Sequence, residues 1–262
     1  MSEPESPKSS APSSVDTADF ERAWRKRFEH RAGLFDDDAG IAGWSDSGLA
    51  TRMRSFISAW CKTPEATTAG GNWLDAGCGA GTYTRFLADH RNVTAVDYSI
   101  PSVIKAQKRC SSEIKAHWAA ADVTRLPFTT AAFDGALCFG VMQALSTPRD
   151  GLRELRRVLK PGAVVWVDAL NGRCLPAAWS EKERVKSGKP AHLRYDEFEA
   201  FSEALREAGF DSVQSFWVPI CPRKLRLLQP LFETRLAVAG LGMAPSLAAL
   251  LSHSILFRAV AR

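Results

Sequence analysis

Three acidic residues, each closing a short apolar run, and one glycine-rich turn are the groups in this chain best suited to chemistry. The first run leads into Trp73-Leu74-Asp75-Ala76-Gly77-Cys78-Gly79-Ala80-Gly81-Thr82, with the spacing DxGxGxG. Glycines tolerate positive φ and let backbone approach a ligand closely. A helix opening after the turn offers free N–H groups. The second run, Val93-Thr94-Ala95-Val96-Asp97-Tyr98, ends on an acid about twenty residues beyond the turn, where nucleotide-binding α/β folds hold ribose hydroxyls. The third, Ala120-Ala121-Asp122-Val123-Thr124, puts Asp122 where the exocyclic amine of an adenine would be met, with Val123 beside it. Tyr98 either stacks on an adenosine or packs. Phe139, ending a fourth apolar run, either faces the reacting side or belongs to the core. The candidate ligand-binding residues are Asp75, Gly77, Gly79, Gly81, Asp97, Tyr98, Asp122, Val123 and Phe139.

Strands and helices must bring these groups together. The pattern predicts strands at 72–76, 93–97, 117–121, 133–139, 163–169, 212–218 and 254–261. Helices are expected at 83–89, 101–110, 150–159 and 196–208. Ser99 is the expected cap of the second helix, with Pro101 in its first turn. Pro161-Gly162 reads as the stop of the third, and Asp196 and Gly209 as the two ends of the fourth. Such alternation implies an α/β fold with a mostly parallel sheet and right-handed crossovers. Residues 17–60 read as helical, with turns around 36–40 and a second helix from 49 to 60. Ahead of them, residues 1 to about 15 are rich in Ser, Pro and Glu and lack an apolar run, the composition of a disordered tail rather than a signal peptide. Residues 16–262 read as a single domain. The connections 170–195 and 219–253 are too long for plain loops, so short helices are expected there. With the helices of 16–62 they are the expected cover over a substrate.

Taken in order, these motifs resemble the class I S-adenosylmethionine-dependent methyltransferases, small-molecule type. The resemblance covers about residues 70–170. Residues 74–81 match the family's cofactor loop, Asp97 its ribose acid and Ala121-Asp122 its adenine-edge segment. Phe133-Asp134-Gly135-Ala136-Leu137-Cys138-Phe139 looks like its fourth strand, and Leu155-Arg156-Arg157-Val158-Leu159-Lys160-Pro161-Gly162 like its helix-to-strand turn. The resemblance implies a Rossmann-like seven-stranded sheet of order 3-2-1-4-5-7-6 with the seventh strand antiparallel and helices on both faces. It implies S-adenosyl-L-methionine as cofactor and methyl transfer as the activity. A nicotinamide-dependent dehydrogenase would want GxGxxG, whereas Thr82 stands at the third glycine position and an acid precedes the turn. A non-catalytic cofactor-binding domain would carry the same motifs.

The 262 residues are 45% hydrophobic and 24% charged, the balance of an ordinary globular protein. Six scattered cysteines form no CxxC pair, so neither a metal site nor a redox motif is expected, and free thiols suit the cytoplasm. The net charge of +5 is spread along the chain, fitting a solvated surface or an anionic partner. Residues 236–257 carry no formal charge and are long enough to span a bilayer. Gly240, Gly242, Pro245, Ser252, His253 and Ser254 argue against a transmembrane helix.

Methyl transfer from a sulfonium is an in-line displacement for which a protein supplies mainly orientation and exclusion of water. The sequence therefore speaks more of cofactor than of acceptor. Phe139-Gly140-Val141-Met142 lacks the Asn/Asp-Pro-Pro-aromatic turn of adenine or glutamine N-methylation. Cys138, inside an apolar strand, reads as a buried thiol rather than a nucleophile. No RNA-binding module is recognisable. A small-molecule acceptor methylated on oxygen is the leading expectation, with RNA the alternative. In the segment 141–145, where many small-molecule and quinone-type relatives carry His, this chain has Ala144. Leu225, Leu227, Leu228, Leu231, Phe232 and Leu236 lie near Arg223, Lys224 and Arg226. That mixture suits an apolar pocket for a lipid-like or polyketide-like acceptor, a peripheral membrane contact, or a helix packed on the sheet.

Among the five histidines, His192 is the candidate catalytic base. It lies in a candidate cover segment, and a neutral imidazole accepts a hydroxyl proton near pH 7. An exposed loop residue is the alternative reading; His30, His90, His117 and His253 fall in helices or at strand ends. As a base, His192→Ala is expected to lower turnover about a hundredfold with little change in cofactor affinity. The loss should shrink at high pH, where the acceptor ionises unaided. Near-normal turnover from about pH 6 to 9 would leave proximity alone as the mechanism.

Overall fold

Strand β1 (Asn72–Ala76) is buried at every position after Asn72, as expected of a parallel strand covered on both faces. It is the pivot of the computed structural model, which describes residues 14–110, 114–188, 194–219, 227–232, 234, 237, 240–241 and 243–262. His192, the expected tail up to residue 13, and the basic run 223–226 lie outside the described residues. Parallel strands β2 (Asn92–Asp97) and β4 (Phe133–Cys138) flank β1. Parallel β3 (Ala116–Ala120) lies beyond β2, and parallel β5 (Leu159–Leu170) beyond β4. Strand β7 (Ser252–Ala261) runs antiparallel between β5 and β6 (Phe210–Pro219). The order is 3-2-1-4-5-7-6, as the resemblance implied. From β1 the chain steps out to β2 and β3, then returns to the other side at β4. That reversal opens a crevice at the strands' carboxyl ends.

Helices α4 (Thr82–Ala88), α5 (Ile100–Cys110), α6 (Pro148–Val158) and α8 (Phe198–Glu207) fall within a few residues of their expected places. Ser99 Oγ accepts from Ser102 N at 3.3 Å, in the expected capping role. Two expectations are corrected. Pro161-Gly162 does not separate helix from strand: Leu159 already pairs with Phe133, and the register then shifts. Asp196 does not cap α8, whose N-cap residue is Glu197. The Asp196 carboxylate is engaged by Arg194 at 3.0 and 3.1 Å.

Alternation along the strands sorts the core into two faces. Leu74, Ala136, Val165, Val167 and Phe257 face α6 and α8 with Leu152, Leu155, Phe201 and Leu205. Trp73, Leu137, Val164 and Trp166 face the opposite way, against Phe56 and Trp60. Phe56 is the hub of that second face. Its ring lies 5.1–5.6 Å from those of Tyr83, Phe86, Phe139 and Trp166.

The N-terminal segment divides in two. Helix α3 (Asp46–Trp60), capped by Ser45 Oγ accepting from Gly48 N at 3.1 Å, enters the core through Phe56. Helix α1 (Ser14–Leu34) takes in Ser14 and Val15, which composition assigned to the tail. Among its described side chains only Trp24 and Ala32 are buried. Polar contacts hold α1 and α2 (Asp38–Ala42) to the body. Glu21 Oε1 accepts from Ser146 N at 2.9 Å and from its hydroxyl. Asp38 is engaged by Thr82, Arg85 and Arg109. Lys105 reaches Asp36 at 2.7 Å.

The long connections carry short helices, as expected: α7 (Leu175–Lys186) in the first, α9 (Gln229–Phe232) and α10 (Pro245–Leu251) in the second. Asn171 Nδ2 ties them together by donating to Ala249 O and Ser252 O at 2.5 and 2.7 Å. No described helix is long and apolar enough to cross a membrane. Cys61, Cys78, Cys110, Cys138 and Cys174 are free thiols.

Two core residues among the described ones are acidic, Asp75 and Asp168. Asp75 is 2% exposed, and its Oδ2 accepts from Thr84 Oγ1 at 2.5 Å. Burial pushes its carboxyl up from 3.8 to about 7; the Thr84 bond opposes the rise and the Asp97 charge adds to it. The folded state thus holds this proton more tightly than the unfolded chain. The stabilisation is complete below the unfolded value of 3.8 and is lost as pH climbs to about 7. Asp75→Asn is expected to flatten the fall in stability across that window by up to about 1.4 kcal/mol per pH unit. Urea unfolding of both proteins checks this, and parallel pH profiles would refute it.

Candidate functional site

The glycine turn sits where β1 meets α4, held against the end of β2. Gly77 N and Cys78 N both donate to Val96 O, at 2.7 and 2.9 Å. Gly77 has φ +83°, and a Cβ there would lie 2.1 Å from Val141 Cγ2. Gly81, at φ +84°, opens α4. Gly79 differs: a Cβ there would meet nothing within 4 Å. Above it the backbone borders a cleft with about 1170 Å³ of free space, its open mouth included.

Asp97 lies at the cleft wall, its carboxylate fixed by two backbone donors. Oδ2 accepts from Gly79 N at 2.9 Å and Oδ1 from Ser99 N at 2.8 Å. Burial raises its pKa, against the pull of those amides. Each oxygen keeps a lone pair for a further donor. Asp122 lines the same cleft. Its Oδ1 accepts from Thr124 N and Oγ1 at 2.9 and 2.7 Å, and its Oδ2 pairs with Arg25 of α1. Burial works to raise its pKa, but Thr124 and then Arg25 hold the carboxyl below the usual range. Tyr98 is 43% exposed, with the Arg25 guanidinium carbon 4.0 Å from its ring centroid.

Gly77, Gly79, Asp97, Tyr98, Asp122, Val123 and Phe139 are thus gathered around one cleft. Gly81 and Asp75 are outside its lining. Gly81 closes the turn, and Asp75 lies buried beneath it. Phe139 is 8% exposed, at once core and wall, with its ring 4.8 Å from that of Tyr83. Burial raises the pKa of Cys138, which is fully enclosed, as the buried-thiol reading requires.

The sequence reading missed most of the opposite wall. It is built by Glu21, Trp24, Arg25 and Phe28 of α1, Ile41 of α2, Trp44, and Leu49 and Arg52 of α3. Among the described residues, neither 170–195 nor 219–253 contributes to the lining, so the cover at this cleft comes from the N-terminal helices. The expectation of a cover from the helices of 16–62 pointed to this segment, and the i, i+4 spacing of Trp24 and Phe28 to one of its faces, but neither singled out the residues.

Arg52 is the largest omission. Its guanidinium is buried against Asp168, donates to Ser254 Oγ at 2.8 Å and lies 4.2 Å over the Trp44 ring. Burial lowers it to about 10, so it stays charged near neutrality. Asp168 Oδ1 in turn accepts from Gly140 N at 2.7 Å, fixing the turn after β4. His253 packs edge-on to Trp44 at 5.9 Å; burial, then Arg52, push it down to about 4, so it is neutral. Tyr83 also lines the cleft, its hydroxyl pushed up to about 12 by burial.

A family model described as "Methyltransferase domain" matches residues 74–167, from β1 into β5. A malonyl-[acyl-carrier protein] O-methyltransferase of Pseudescherichia vulneris is 38% identical over 115 residues, covering 44% of this chain and 45% of that protein. The chain spans about half the length of the first such relatives it matches. A demethylmenaquinone methyltransferase of Clavibacter sepedonicus is 31% identical over 170 residues, covering 57% of this chain and 69% of its own. Among solved structures, the N-methyltransferase NodS of Bradyrhizobium japonicum, in complex with S-adenosyl-L-homocysteine, superposes with a TM-score of 0.59. It shares 17% identity over 90% of this chain and 97% of its own, a likeness of fold alone. With the glycine turn and the strand-end acids falling inside the matched region, the chain belongs to the class I S-adenosylmethionine-dependent methyltransferase family.

Proposed function

We propose that this protein transfers a methyl group from S-adenosylmethionine to a small apolar acceptor, on oxygen. The observation that carries the reading is the Asp97 carboxylate, locked by Gly79 N–H at 2.9 Å beside a turn that leaves the space above Gly79 open. The donor set fits such a cofactor. In this reading Asp97 takes the ribose hydroxyls, Asp122 and Val123 the adenine edge, and Tyr98 the adenine face. Gly77 and Gly79 give the backbone surface, and Gly81 and Asp75 brace the turn. When bound, the cofactor supplies an activated methyl on a sulfonium.

The chain's own contribution is orientation and dryness. Trp24, Phe28, Trp44, Leu49, Phe139 and Leu145 give the rest of the cleft an apolar, largely aromatic wall. Such a wall orients a flat or acyl-like acceptor and excludes water from the displacement. Ala144 lines the cleft, so the chain has no imidazole at that position. His192 is the proposed base for the acceptor hydroxyl. The relatives' names bear on separate parts of the reading: an O-methyltransferase of a carrier-bound malonyl group supports transfer to oxygen, and a demethylmenaquinone methyltransferase supports an apolar acceptor.

Titration calorimetry is expected to show micromolar-range binding of S-adenosylmethionine and S-adenosylhomocysteine, and no heat with NAD. Asp97→Ala should weaken binding by about 1.5–3 kcal/mol, the worth of hydrogen bonds to a charged group. Absence of heat with both sulfur compounds would overturn the reading.

A further inference from the structure

We infer that Arg25 is an internal occupant of the adenine end of the cleft, and that α1 must release it before an adenosine ligand loads. The inference rests on the cofactor reading above. Its support is the way the Asp122 oxygens are used. Oδ1 already accepts two bonds from Thr124, at 2.9 and 2.7 Å. Oδ2 accepts from Arg25, whose guanidinium stands in the approach to it while one lone pair is left. The same guanidinium lies over Tyr98, 4.0 Å from the ring centroid. A planar group that donates N–H to a carboxylate and stacks on a neighbouring ring presents what the edge and face of adenine would present. Arg25 and adenine therefore compete for the Tyr98 face and for the approach to Oδ2.

Release of Arg25 carries a consequence along its helix. Glu21, Trp24, Arg25 and Phe28 have the i, i+3, i+4, i+7 spacing of one helix face, and all four line the cleft. Glu21 holds Ser146 in the loop after β4, while Trp24 and Phe28 form part of the aromatic wall. Displacing Arg25 shifts the support of that wall. Few apolar side chains resist, because α1 buries only Trp24 and Ala32 among its described side chains. Cofactor loading is thereby coupled to the shape of the acceptor end, and the binding order is cofactor first.

Stopped-flow Trp fluorescence with S-adenosylhomocysteine tests this on the full chain, for wild type, Arg25→Ala and Arg25→Lys. Removing a half-exposed ion pair and a cation–π contact should raise the apparent affinity and the association rate about three- to thirtyfold in Arg25→Ala. Arg25→Lys keeps the charge without the planar face and should fall between. Added salt should speed association for wild type, by screening the pair, and not for Arg25→Ala. Equal or weaker binding by Arg25→Ala would make Arg25 part of the ligand surface and overturn the inference. No binding by any of the three proteins would instead overturn the cofactor reading itself.

Discussion

Two backbone amides share one carbonyl at the centre of this fold. Gly77 N and Cys78 N both donate to Val96 O, and that clasp ties the end of β1 to the end of β2. The conformation it requires, with φ at +83°, is open to glycine at little cost. Once the turn is held there, Gly79 N–H reaches Asp97, and α4 must start at Gly81. The open surface above Gly79 follows, because Gly79 has no side chain to fill it. Burial of Asp75 directly beneath reflects the same packing, with Thr84 from α4 closing over the carboxyl.

The wall facing the turn obeys different physics. Helix α3 is anchored by aromatic packing around Phe56. Helices α1 and α2 meet the turn through a small cluster of Ala32, Ile41 and Ala80 and are otherwise held by charged groups, through Asp38, Glu21 and Arg25. Packed aromatic contacts are hard to open locally, whereas partly exposed charge pairs contribute little net stability and weaken with salt. One side of the cleft is therefore rigid and the other is lightly fastened. Arg52 stands at the junction, carried by the rigid helix and neutralised by Asp168. A buried pair of this kind is costly to break, and it keeps Trp44 and the Gly140 turn in place.

The sheet, the glycine turn and the strand-end acids were legible in the sequence because they are local. An apolar run ending in Asp97 or Asp122 states its own strand and its own strand end. The glycine spacing states a turn and a helix start. Family resemblance supplied what local pattern lacks, the order of the strands. The Arg25–Asp122 pair spans 97 positions, Glu21–Ser146 spans 125 and Arg52–Ser254 spans 202. No spacing rule links residues so far apart, and an arginine inside an amphipathic helix reads as a solvated face. Asp196 misled for a local reason: it stands near where a helix cap belongs, but Arg194, two residues before it, takes its carboxylate.

The claim on which the account depends is that an adenosine moiety lies along Asp97 and Asp122. A crystal structure grown with S-adenosylhomocysteine tests it directly. The account expects both ribose hydroxyls within hydrogen-bond distance of Asp97, the adenine amine on Asp122, and the Arg25 guanidinium turned out of the cleft. Density for the nucleoside elsewhere, or an Asp97 bonded only to Gly79 and Ser99, would contradict it.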